Sequence, residues 1–428
     1  MIFHKTLTNI RRKHGYTHEE LAAVLGCDAS LIVALEGNKQ KADATFVQNL
    51  RDKLSLHSAP ITEAERTALM ERLTTWLQAI SYGDMDKAVA QKPQLERSAR
   101  ESYSPSTINY YDLFAANYYW MAGDMDAHNE TMAALELRKS EFGARHQFYY
   151  QRILGARAFR NHKYSEALKA HIAAEKLDKN SEWHNVSLYY SIGRCLSDMG
   201  YAARAIEYMK KAQQLAKYDK SYDNRPNSKY DVEIDGHLAY NLSKIGKIDE
   251  AHAILDKRLK IEMKKGEGSE GHGATHFYIG VVHLRAKEYC DALKYFEIAL
   301  QYISVDGYFF DVASYYKAET LFCIGKIDEG LRGLEKALVL LLGGASRTRL
   351  EALMYSVLMS DDESLKHLAN VIVPKLIEYE LYDEAARYYK LLSKVCNERG
   401  DYLVALKYSN AALDVYQQLY EERVEGGM

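Results

Sequence analysis

Few residue patterns in this 428-residue chain could carry catalysis. Gly266, Gly268 and Gly271 match GxGxxG, but that spacing cradles a pyrophosphate only between a strand and a helix, and here it follows a helix expected to end near Lys264. No HExxH, GxSxG or P-loop is present, and the fifteen histidines show no metal-ligand spacing. Cys27, Cys195, Cys290, Cys323 and Cys396 are odd in number and lack any CxxC, which argues against a disulfide framework and a zinc knuckle. They read as reduced, mostly buried small hydrophobes. The chain is therefore expected not to be an enzyme and to need no metal or cofactor. One group of donors does suit an anion. Arg11, Arg12 and Lys13, then Asn38, Lys39 and Lys41, flank a helix start at Thr17, and cations beside exposed helix-start N–H groups hold phosphate oxygens.

Those donors must be positioned by short helices. Residues 4–56 read as Lys5–His14, Thr17–Leu25, Asp28–Leu35 and Ala42–Leu56, punctuated by Gly15, Gly26 and Gly37 at expected C-caps. Thr17-His-Glu-Glu20 is a capping box, in which hydroxyl and carboxylate satisfy each other's backbone donors. Ala22 lets two helices cross closely, Asp28 is expected to cap the next helix, and Ile32 and Leu35 to face the core. A polar break at 58–64, containing Pro60, reads as a linker.

Downstream the sequence repeats. GDMDKA (83–88), GDMDA (123–127), HKYSEA (162–167), MGYAARA (199–205), GKIDEA (246–251), AKEYCDA (286–292), GKIDEG (325–330), YELYDEA (379–385) and GDYLVA (400–405) share a turn and a helix opening on a small residue. Ala88, Ala127, Ala167, Ala205, Ala251, Ala292 and Gly330 are 39, 40, 38, 46, 41 and 38 residues apart, a solenoid period. One hairpin cannot bury its own apolar face but a stack can. Roughly nine hairpins are expected over 65–428, the last two pairing 346–360 with 363–379 and 383–397 with 402–420. Tyr218–Asp231 and Lys264–Gly273 read as long surface loops. Composition agrees: five prolines in 428 residues are too few for a turn-rich β architecture. The fold class is all-α.

The net charge of -3 divides into +2 over residues 1–60 and -5 beyond, a weak signal for nucleic acid. No uncharged apolar run approaches the roughly 20 residues of a membrane span, so no membrane partner is expected and the location expected is cytoplasmic.

LTNIRRKHGYTHEELAAVLGCDASLIVALEGNK resembles the lambda-repressor-like helix-turn-helix domain. That head (1–57) followed by a tetratricopeptide-like solenoid resembles the RRNPP-type peptide-sensing regulators, the group of Rap, Rgg, NprR, PlcR, PrgX and the arbitrium receptors, with a layout closest to NprR. The resemblance implies a homodimer on a pseudo-palindromic operator, with a signalling oligopeptide bound in the concave groove modulating dimer geometry. It implies a DNA surface of Arg11, Arg12, Thr17, His18, Asp28, Ala29, Ser30, Val33, Asn38, Lys39 and Lys41. Ala29, Val33 and Ala34 depart from the donor-rich recognition helices of that group, and such apolar side chains can only pack on thymine methyls. For the groove it implies Arg152, Phe159, Arg160, Tyr190, Arg194, Asp198, Tyr240, Phe277, Arg285, Tyr315 and Glu319, with Asn241 as the amide that would hold a peptide backbone. The alternatives are a Rap-like regulator that docks a response regulator or kinase, and a repeat scaffold. The 34 tyrosines mostly read as inter-helix packing.

Overall fold

The computed structural model describes residues 3–56, 59–60, 62–81, 83–178, 186–218, 229–264, 270–304, 308–341 and 343–425. Among these every regular element is helical. The chain divides into two compact units, Met1–Ile153 and Leu154–Met428.

The first unit opens with four short helices: α1 (Phe3–Lys13), α2 (His18–Leu25), α3 (Ala29–Glu36) and α4 (Ala44–Lys53). The capping box forms as the sequence requires: Glu20 N–H donates to Thr17 Oγ1 at 3.1 Å and Thr17 N–H to Glu20 Oε2 at 2.7 Å. Gly26 ends α2 in the left-handed region at φ 71°. Asp28 occupies the N-cap of α3, but its carboxylate accepts no capping hydrogen bond. At the end of α3 the left-handed residue is Asn38 (φ 55°) rather than Gly37, a role asparagine tolerates. Leu7, Ile10, Leu21, Ile32, Leu35 and Leu50 form the core between these helices. Arg11 closes it, its Nε and Nη2 donating to Glu36 at 2.7 and 2.9 Å and its Nη1 to the Tyr16 carbonyl at 3.0 Å.

The described residues after α4 pack against this head. Ala59 is buried in the same core, Thr62 and Glu65 exchange hydrogen bonds, and Arg51 of α4 pairs with Glu65. Arg66 donates to Thr6 at 2.8 Å, Asn9 donates to the Tyr103 carbonyl at 3.0 Å, and the Lys13 ammonium lies 4.8 Å from the Tyr103 ring centre. The hairpins α5 (Glu63–Ser81) with α6 (Met85–Glu101) and α7 (Pro105–Ala122) with α8 (Met125–Arg138) follow. Trp76 stacks on Tyr111 and donates to the Ala88 carbonyl at 2.9 Å. In the second hairpin the position matching Ala88, counted from Gly83 and Gly123, is His128 and not Ala127. His128 is fully buried and its Nδ1–H donates to the Ala116 carbonyl at 2.9 Å.

The divide between units falls within α9 (Ala144–Arg160), which pairs with α10 (Tyr164–Leu177). The second unit continues with α11 (Val186–Asp198) and α12 (Ala202–Tyr218), α13 (Lys229–Lys244) and α14 (Ile248–Lys264), α15 (Glu270–Arg285) and α16 (Tyr289–Tyr302), and α17 (Tyr308–Cys323) and α18 (Ile327–Leu340). Then α19 (Gly344–Val357) pairs with α20 (Asp362–His367), which runs through a π-helical turn at Leu368–Ile372 into α21 (Val373–Glu378). Finally α22 (Tyr382–Glu398) pairs with α23 (Tyr402–Glu425), so among the described residues nine hairpins appear, with the last two paired as expected. Of the two long loops, 219–228 and 265–269 lie outside the described residues, as do Gly266 and Gly268. Gly271 is helical.

Small residues set the spacing. Ala167, Ala205, Ala251, Ala292 and Ala385 are completely buried, and a Cβ on Gly236 of α13 would lie 2.1 Å from the Tyr278 ring of α15. The unit also meets itself: Ser165 N–H donates to Glu380 Oε2 at 2.7 Å and the His162 ring packs on Tyr379. Cys195 and Cys396 are buried as expected, whereas Cys290 and Cys323 are exposed.

Two consequences can be measured. Burial raises the Glu36 carboxyl, but the hydrogen bonds and charge of Arg11, together with hydrogen bonds from Thr8 and His18, outweigh it and leave it below the usual range. Against the same burial effect, Arg51 and Thr62 hold Glu65 at about 2. Groups depressed in the folded state add stability above their unfolded values and lose it on acidification, so the head should weaken progressively as pH falls from about 5 to about 2. Glu36→Gln should cost about 2 kcal/mol and speed amide hydrogen exchange in α1–α3, leaving α15–α16 unchanged. Unaltered exchange in α1–α3 would mean that the Arg11–Glu36 pair does not hold the head.

Candidate functional site

Two surfaces gather side chains that no packing requirement explains. The first is a cavity of ≈ 490 Å³ inside the second unit, walled by α11, α13, α15, α17, α19 and α22, the first helices of six hairpins. In each hairpin the second helix covers the outer side, so the polar residues of the first are left to face inward.

Phe277, Tyr278, Phe309, Tyr315 and Tyr316 make one wall aromatic. Five carboxylates line the space, Asp198, Asp311, Glu319, Asp383 and Glu384, with four cations, Lys244, Arg285, Arg349 and Arg387. Some are matched. Arg387 donates to Glu319 at 3.3 Å and to the Tyr315 hydroxyl at 2.6 Å, and Arg349 donates to Glu384 at 2.8 Å. Others are not: among the described residues Asp198 and Arg285 carry no hydrogen bond or ion pair. Burial lifts the Asp198 carboxyl above the ordinary carboxylate range despite Arg194 and Arg349 nearby. His237 is pushed down to about 3, first by burial and then by Arg194, and so stays neutral. Tyr240 has its hydroxyl 3.5 Å from that of Tyr316, and Lys244 lies over the Tyr240 ring. Unmatched charge of both signs beside aromatic faces suits a zwitterionic ligand with apolar side chains.

Of the expected groove residues, Asp198, Tyr240, Phe277, Arg285, Tyr315 and Glu319 line this cavity. Within the second unit, Phe159, Arg160, Tyr190, Arg194 and Asn241 are not among its lining residues. Tyr190 is covered by α13, its hydroxyl donating to Glu233. Arg194 lies over the Phe159 ring at 4.6 Å. Asn241 is fully buried and its Nδ2 donates to Ser197 Oγ at 2.9 Å and to the His237 carbonyl at 2.7 Å, so its N–H groups are used inside the stack while its Oδ1 accepts no hydrogen bond there. Arg152 lies near the Phe148 ring, and Arg160 is exposed at the end of α9. Sequence reasoning missed Arg349, Asp383, Glu384 and Arg387. YDEA (382–385) looks like the opening of a second helix, yet α22 is the first helix of its hairpin.

The second surface is on the head. Arg12, Lys13, Thr17, Asp28, Ser30, Asn38, Lys39 and Lys41 are exposed, Ala29 and His18 partly so, and Val33 is half exposed. Arg11, expected among the phosphate contacts, is instead committed to Glu36, and His18 Nε2 lies 3.2 Å from the same carboxylate. The open donors are thus the α1 end and the segment after α3.

No family model and no curated protein sequence matches this chain. Solved structures do share its fold. A Rap protein complexed with Competence and Sporulation Factor superposes with TM-score 0.70 at 15% identity, covering 83% of this chain and 99% of that one. NprR in complex with its cognate peptide NprX gives 0.67 at 17%, covering 82% and 99%. The apo quorum sensor NprR from B. thuringiensis gives 0.61 at 17%, covering 82% and 99%. The architecture is that of a tetratricopeptide-like helical solenoid.

A half-buried carboxylate without a partner destabilises the empty protein, so Asp198→Asn should fold with a thermal midpoint equal to or above that of the parent. Because the Asp198 carboxyl is raised in the folded state, lowering pH through its titration should stabilise the second unit in the parent and not in the variant. A clear loss of stability in Asp198→Asn would show that the carboxylate is internally satisfied.

Proposed function

We propose that this chain is a peptide-responsive, DNA-binding transcription regulator. The observation that carries the reading is the aromatic and doubly charged cavity, found on a fold shared with a Rap protein solved with Competence and Sporulation Factor and an NprR solved with its cognate peptide NprX. A short peptide has a carboxylate for Arg285, an amine or cationic side chain for Asp198, and side chains to stack on Tyr315, Tyr316 and Phe277. Backbone N–H and C=O groups would meet Tyr240, Glu319 and Arg387.

Peptide sensing needs an output, and the head supplies one. Exposed Arg12, Lys13, Asn38, Lys39 and Lys41 with the helix start at Thr17 would grip phosphates, while Ser30, Ala29 and Val33 face the bases, with His18 and Asp28 beside them. Two such heads in a homodimer would read an inverted repeat with half-sites about one DNA turn apart, and a peptide that alters their spacing would alter operator affinity. No helix among the described residues is long and apolar enough to cross a membrane, which agrees with a cytoplasmic regulator.

A second reading draws on Val33, 51% exposed at the middle of α3 where a base-reading donor would stand. An apolar α3 face suits docking of a response regulator, and a scaffold role would use the groove for a larger protein.

Sequencing the DNA that co-precipitates with the tagged chain from its native host separates these. The regulator reading predicts a few peaks sharing an inverted repeat, weakened several-fold by Lys39→Ala with Lys41→Ala. Absence of enrichment in growing and in dense cultures would remove DNA binding. A shortened phosphoryl lifetime on a response regulator would then favour the docking reading.

A further inference from the structure

Outside the cavity lining, one cluster of side chains among the described residues has the composition of a metal site. His252 of α14, His283 in the last turn of α15 and Glu288 at the start of α16 each offer a ligand atom, and these atoms all lie within 4.8 Å of one another. They belong to two successive hairpins, and local structure accounts for each placement. His252 follows Ala251, the fully buried small residue at the crossing of its hairpin, so the α14 backbone is held close to its neighbours there. Glu288 is fixed against His283 by the turn between them. Lys287 takes the left-handed conformation at φ 64°, Lys287 N–H donates to the Leu284 carbonyl at 3.0 Å, and Glu288 N–H donates to the His283 carbonyl at 2.9 Å. That is the doubly hydrogen-bonded termination of a helix, and it has little freedom. Glu288 stands at the N-cap of α16 yet does not cap it. Its carboxylate turns back to His283, with Oε2 2.6 Å from Nδ1. The His283 ring is stacked on Tyr295 at 5.2 Å between centres and meets the His252 ring at 4.6 Å.

The electrostatics suit a cation. Asp249, Asp256 and Glu288 place negative charge around the His252 ring. Ligand atoms about 2.0–2.1 Å from a tetrahedral Zn²⁺ are roughly 3.3 Å apart, so the His283–Glu288 contact must widen and the longest separation close. Glu288 is exposed and can make that adjustment by side-chain rotation.

We propose that His252, His283 and Glu288 bind one borderline divalent cation, with Zn²⁺ as the reference ion, through two imidazole nitrogens and a carboxylate oxygen, leaving the fourth position to water. The ion would bridge the fifth and sixth hairpins and pin the end of α15, two residues before Arg285 reaches the cavity. It does not depend on the ligand of that cavity.

The test uses the full chain without a histidine tag, freed of metal by chelation and titrated with Zn²⁺ by calorimetry, with native mass spectrometry for stoichiometry. Cys290→Ser with Cys323→Ser provides a background free of exposed thiols. One Zn²⁺ per chain is expected in that background, with affinity falling at least about tenfold in His252→Asn with His283→Asn and falling also in Glu288→Gln. Circular dichroism confirms folding. Should the double histidine variant misfold, Glu288→Gln, altered only at an exposed turn, decides alone. No bound Zn²⁺ in the background chain, or stoichiometric binding untouched by these substitutions, overturns the proposal.

Discussion

A helical hairpin with an apolar face is unstable alone, and everything in the second unit follows from how that face is covered. The second helix of each hairpin must approach the first closely, which needs a side chain no larger than a methyl at the crossing. Ala167, Ala205, Ala251 and Ala292 meet that need and are completely buried. At Gly330 even a methyl would strike the Phe322 ring. Once the outer sides are covered by second helices, the first helices share an inner surface that only water or a ligand can cover. The hydrogen bond from Ser165 to Glu380 and the contact of His162 with Tyr379 join the beginning and end of this unit. Function, on this view, resides in the residues the packing leaves over.

Those residues divide by whether the protein satisfies them. Arg387 with Glu319 and Tyr315, and Arg349 with Glu384, are matched and hold neighbouring walls in register. Asp198 and Arg285 are unmatched. Keeping a carboxylate half withdrawn from water without a partner costs stability in the empty state, a cost that a ligand supplying the missing charge would offset. The same division applies to the head. Arg11 is consumed by Glu36, whereas Lys39 and Lys41 stay open to solvent, so identical charge types serve the core in one place and the surface in the other.

The sequence made the architecture legible because both signals are local. The capping box at Thr17 and the forty-residue recurrence of turn plus small residue each depend on neighbours in the chain, and the all-α solenoid and the pairing of its last helices emerged as expected. Register errors arose where one residue departed from the pattern. His128 replaces the alanine of its hairpin because its ring nitrogen reaches a carbonyl, and Asn241, one position off the groove, is drawn into the stack by Ser197. The cavity was half legible. Asp198, Tyr240, Phe277, Tyr315 and Glu319 follow from helical spacing in regular repeats, while Asp383 to Arg387 lie in a helix whose opening imitates its neighbours' second helices. The His252, His283 and Glu288 cluster was invisible, since only stacking of two hairpins brings residues 252 and 283 together.

On the proposed function, Asp198 and Arg285 anchor a short peptide in the groove. Immobilised full-length chain, exposed to the peptide fraction of spent medium from its native host and eluted into a mass spectrometer, tests this directly. The account predicts that the parent retains one or a few peptides that are absent from eluates of Asp198→Asn and Arg285→Gln chains of equal folded content. Retention of the same peptides by parent and variants, or of none by the parent, would contradict it.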